Sequence, residues 1–144
     1  MTTHEIRKEV DARILAYAKI AVGGSLPVLL DERDWFIGML TYIGEREANI
    51  MLIKAKLEKQ YESIKYSKFL EYKRPADGSK GFSEKEADYK SRAETLDLKF
   101  DYDIALAEHK ILYGLRERIL KQVDSVSQRI SVLRREYDKE MAAS

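Results

Sequence analysis

The sequence contains no cysteine, which excludes disulfides, thiolate metal sites and thiol nucleophiles. Its 144 residues include only 2 Pro and 7 Gly, too few for a loop-rich or all-β domain. No run approaches the roughly 20 uncharged apolar residues of a membrane span. The first ten residues carry His4, Glu5, Arg7, Lys8 and Glu9 rather than an apolar stretch behind a basic end. Neither a membrane anchor nor a secretory signal is expected, and the cytoplasm is the expected location.

The chemistry of an enzyme is missing too. His4 and His109 have no partner at a familiar ligand spacing, and neighbouring Glu108 projects about 100° away from His109 on a helix. Asp101 and Asp103 diverge by about 200° on a helix and do not share one ion. Gly23-Gly24 and the pair Gly78 and Gly81 lack the strand–loop–helix setting and the Lys-Ser/Thr of a phosphate loop. No catalytic residue, metal ligand or cofactor is expected, and the chain reads as a non-enzymatic protein.

What is present is helix. Hydrophobic residues make up 44% and charged residues 35% of the chain, enough apolar content for a core. The length argues for a single helical domain, residues 1–144. A first helix is expected over about residues 3–22, with Ile6, Val10, Ile14, Tyr17 and Ala21 on one face. Gly23-Gly24 stops it. Ser25 to Leu30 reads as an extended linker, because Pro27 disfavours helix at Leu26. Asp31 then serves as N-cap for a second helix over about 32–73, with Glu32 and Asp34 in its first turn. Its spine is Phe36, Ile43, Ile50, Leu57 and Ile64, every seventh residue. Gly38 and Gly44 weaken its start.

The stretch Pro75 to Gly81 is the clearest loop, placed at 74–83. Ser83, with Glu86 three residues on, forms a capping box that opens a third helix over about 84–139. Leu98, Ala105, Leu112, Ile119, Val126 and Leu133 repeat every seven residues, the step of left-handed coiled-coil packing. The fold expected is all-α: a long antiparallel helical hairpin with an additional N-terminal helix. Three long helices enclose a thin core. Val28, Leu29, Trp35, Met39, Met51 and Phe69 lie off the spines, so some of them are expected to be covered by other copies of the chain.

The net charge of +1 conceals a split: −2 over residues 1–53, +4 over 54–92 and −1 over 93–144. Within the basic segment Lys54, Tyr61, Lys65, Lys68 and Tyr72 share a helical stripe of about 60°. Lys73 and Arg74, then Lys80 and Lys85, extend positive charge through the hairpin tip. Interleaved cations and aromatic rings suit single-stranded DNA, since the cations neutralise phosphates and the rings stack on unpaired bases. The candidate DNA-binding residues are therefore Lys54, Tyr61, Lys65, Lys68, Tyr72, Lys73 and Arg74, with Lys65 and Lys68 on an exposed face. Tyr66 is a further candidate for stacking.

The run Lys68-Phe69-Leu70-Glu71-Tyr72, the Asp77-Gly78 turn, Phe82-Ser83 opening a helix, and Tyr89-Lys90-Ser91 before a long amphipathic helix resemble the phage recombination mediators of the UvsY family. The similarity is clearest from Lys65 to Arg129. It implies a non-enzymatic accessory protein of homologous recombination. It further implies a ring-like homo-oligomer of more than two subunits that binds single-stranded DNA. Such a protein helps a recombinase replace the single-stranded-DNA-binding protein. The resemblance carries DNA binding to Ile64–Arg74. The family's closely spaced Lys and Arg before Leu-acidic-Tyr are here Ser67 and Phe69, with Lys68 between them. The alternative is a structural or adaptor phage protein built from the same hairpin, with no nucleic-acid binding.

Overall fold

The computed structural model describes residues 1–20 and 23–144. Among these residues it is all-α, with four helices: α1 (Thr3–Ile20), α2 (Leu26–Lys73), α3 (Glu84–Glu94) and α4 (Leu96–Ala143). The expected end of the first helix at Val22, and Ala21 on its inner face, lie outside the described residues. The chain divides into two compact units, one of residues 1–47 and 110–144, the other of residues 48–109.

In the first unit α1 opens with a capping box. The Thr2 hydroxyl accepts from the Glu5 backbone N–H at 3.2 Å, and the Glu5 carboxylate accepts from the Thr2 N–H at 2.8 Å. Two of the orphan donors at the helix start are thereby satisfied. Ile6, Val10 and Tyr17 then face inward. Leu29, Phe36 and Ile43 of α2 and Leu112, Ile119, Val126 and Ile130 of α4 are buried as well, and the Tyr17 ring packs edge-on against Phe36 at 6.5 Å. Ion pairs join the helices: Arg13 to Glu32 at 3.0 Å, Arg118 to Asp11 at 2.6 Å, and Arg116 to the buried Glu47 at 2.9 Å.

Helix α2 begins earlier than Pro27 suggests, and Asp31 is not its cap. Leu26 is its first residue, and the Ser25 carbonyl already accepts from the Leu29 N–H at 3.0 Å. Pro27 stands in the first turn, where an N–H has no intrahelical partner in any case. The early start places Leu29 on the inner face with no exposed surface, a burial that an extended linker does not secure.

The second unit has little large apolar core. Its buried residues are Ile50 of α2, Ala87, Ser91 and Thr95 on or ending α3, and Ala105 of α4. The single third helix read from the sequence is in fact two. The Thr95 hydroxyl donates to the Ser91 carbonyl at 2.8 Å and also lies 3.2 Å from that of Arg92. Its N–H goes to Arg92 rather than to the carbonyl four residues back. A buried Thr that bonds back in this way interrupts the ladder and bends the chain. In each unit α2 packs against α4, through Glu47 with Arg116 in the first and Tyr61 with Lys99 in the second.

Candidate nucleic-acid interface

The turn between α2 and α3 is built locally. Gly78 has φ +75°, a conformation open to glycine at no steric cost. Its N–H bonds the Pro75 carbonyl at 3.2 Å. The Asp77 carboxylate accepts from the Ser79 N–H at 2.9 Å, and hydrogen bonds from Ser79 hold the Asp77 carboxyl below its ordinary range. The Phe82 N–H returns to the Tyr72 carbonyl at 2.9 Å and closes the loop. Gly81 passes so near the Lys73 carbonyl oxygen that a Cβ there would collide with it. Ser83 caps α3 by accepting from the Glu86 N–H at 3.3 Å.

Lys54, Tyr61, Lys65, Lys68 and Tyr72 do share one face of α2, but that face is the inner one. All five are half-buried, and the sequence-based placement of Lys65 and Lys68 on an exposed face does not hold. Only 23% of the Lys65 side chain is exposed, and it pairs with Glu62 at 3.4 Å. Lys68 pairs with Glu71 at 3.6 Å and with Glu94 of α3 at 3.7 Å. Tyr72 donates its hydroxyl to Glu94. The Lys65 and Lys99 ammoniums sit 5.0 and 5.8 Å from the centre of the Tyr61 ring.

The cause is the drift of a seven-residue step around a straight helix, about 20° per heptad. Phe36 and Ile43 have no exposed surface, Ile50 is 8% exposed and Ile64 41%. As the apolar spine rotates outward, lysine stems and tyrosine rings take over the inner face. Their apolar bodies pack while their polar ends reach the rim.

Other cations are free. Among the described residues Lys56, Lys59, Lys73, Arg74, Lys80 and Lys85 form no ion pair. Lys73 is half-buried at the end of α2, and Arg74, Lys80 and Lys85 are exposed around the turn. Beside them are aromatic residues that the stripe omits. Phe82 packs edge-on against Tyr72 at 5.7 Å with the Lys90 ammonium 4.7 Å from its ring centre. Tyr89 projects from α3. The signal was available in the spacing: small Ala87 and Ser91 mark the inner face of α3, and Tyr89 lies between them in sequence and hence on the opposite side.

No group of three or more metal-ligating side chains is gathered among the described residues. None of the described helices is long and apolar enough to cross a membrane. Comparison with protein-family models, with curated proteins and with solved structures gave no match to this chain.

Proposed function

We propose that this chain is a non-enzymatic cytoplasmic protein that binds single-stranded DNA as a homo-oligomer and helps to load a recombinase in place of the single-stranded-DNA-binding protein. The observation that carries the DNA part is the set of unpaired cations, Lys73, Arg74, Lys80 and Lys85, around one turn. They flank exposed Phe82, so phosphate and base chemistry meet in one place. The inner stripe contributes at its edge, where Lys68 and Tyr72 are half-buried. The recombinase role rests on the resemblance of Lys65 to Arg129 to the UvsY-type mediators.

Assembly is supported by a second feature. Leu96, Phe100 and Ile104 step by four along α4 and are 62, 65 and 50% exposed. Such an uncovered apolar stripe fits burial against another copy. Repeated subunits multiply weak single-site affinities for one strand. The test is anisotropy of a labelled oligothymidine with the full chain over a salt series, alongside solution mass. Binding that weakens steeply with salt by an assembly larger than a dimer is the expected result. An assembly that ignores the oligonucleotide at low salt overturns the DNA reading and leaves a structural or adaptor protein.

A further inference from the structure

At 75% exposure Tyr89 is the most open of the large hydrophobic side chains among the described residues. A ring held in water forfeits the burial that usually recommends an aromatic residue. Its position is not free to change, because Ala87 and Ser91 on the same helix are fully buried and fix which face of α3 looks outward. Lys85 lies one turn before Tyr89. Lys90 is seated over the Phe82 and Tyr72 rings, 4.7 and 5.8 Å from their centres, and engages no carboxylate among the described residues. These side chains, with Glu86, line a shallow open groove of about 300 Å³.

We propose that Tyr89, with Lys85 and Lys90 beside it, is a stacking platform for one unpaired nucleobase of single-stranded DNA, a site that rests on the DNA reading above. The open ring takes the face of any base, which makes the contact tolerant of sequence. The two ammoniums take the flanking phosphates. The Glu86 carboxylate repels phosphate and so keeps the backbone on the lysine side of the groove. Arg92, one turn beyond Tyr89, is committed to Asp88 at 3.0 Å and is not part of the site.

The experiment compares the full-length parent with Tyr89→Ala, Tyr89→Phe and the double variant Lys85→Ala/Lys90→Ala. Two fluorescein-labelled probes of equal length are used, an oligothymidine and an abasic sugar-phosphate strand, each over a salt series with solution mass recorded. Tyr89→Ala is expected to weaken oligothymidine binding roughly 5- to 150-fold without changing the salt slope. Its binding to the abasic strand stays at the parent value, and Tyr89→Phe restores oligothymidine binding. The lysine double variant loses about 1.4 from the log–log salt slope, roughly 0.7 for each phosphate. If the parent binds oligothymidine and Tyr89→Ala binds it equally well, the platform is wrong and the DNA reading stands. If Tyr89→Ala lowers the solution mass or weakens both probes alike, Tyr89 is a contact between copies and the platform is wrong. If the parent binds neither probe at low salt, the DNA reading falls and the platform falls with it.

Discussion

The Lys68 ammonium lies 3.7 Å from a carboxylate oxygen of Glu94, joining α2 to the last residue of α3. Glu94 also accepts from the Tyr72 hydroxyl, one turn further along α2. A carboxylate that meets two of the five residues of the stripe turns that end of it into a seam between helices. Both charged side chains remain about two-fifths exposed, so solvent screens the pair.

On the proposed DNA reading, the salt dependence of binding should separate the seam from the free cations. Arg74→Ala with Lys80→Ala is expected to reduce the log–log salt slope by about 1.4 on single strands. Lys65→Ala with Lys68→Ala reduces it less, because those charges already face Glu62, Glu71 and Glu94. A larger loss from the second pair in the same anisotropy titration would make the inner face of α2 the contact.

Two glycine substitutions should act in opposite directions on stability. Gly44 is exposed in the middle of α2 with nothing within 4 Å of the position a Cβ would take. Gly44→Ala should therefore stabilise by about 0.5–1 kcal/mol. Gly81→Ala places a methyl group against the Lys73 carbonyl and should destabilise by more than about 1 kcal/mol. Urea denaturation midpoints check both, and equal shifts of one sign would contradict the geometry of the turn.

Asp77 should titrate below the ordinary carboxylate range. Hydrogen bonds from Ser79 lower its pKa in the folded chain. A depressed folded pKa adds stability above the unfolded pKa of about 3.9, and that contribution is lost as pH falls through the folded value. An NMR titration of the Asp77 side-chain carbon reads the shift, and Ser79→Ala should move it back up. An unchanged Asp77 titration in that variant would remove the assigned cause.

The exposed stripe on α4 should govern assembly and leave the fold alone. Leu96→Ser with Phe100→Ser alters side chains that are 62 and 65% exposed, so each should cost within about 0.5 kcal/mol in the isolated chain. Light scattering is expected to show a smaller particle with unchanged helical circular dichroism. A variant that keeps the parent mass would place the contact between copies elsewhere.

Local and periodic features were legible in the chain alone. Ser83 starts a helix by accepting from the Glu86 N–H, because both lie within one turn. The loop follows from Pro75 and from Gly78, whose positive φ suits glycine. Phe36 and Ile43 could be read as core from spacing alone. Other features were decided by tertiary structure. Pro27 entered a helix because Leu29 had a core to join. Thr95 split one expected helix into two because its buried hydroxyl found the Ser91 carbonyl. The stripe from Lys54 to Tyr72 was legible as a face, since helical angles depend on the chain alone. Which way the face pointed was not. Phe36 begins the spine wholly buried and Ile64 ends it two-fifths exposed, because that direction depends on the drift of the spine and on the Glu94 carboxylate of another helix.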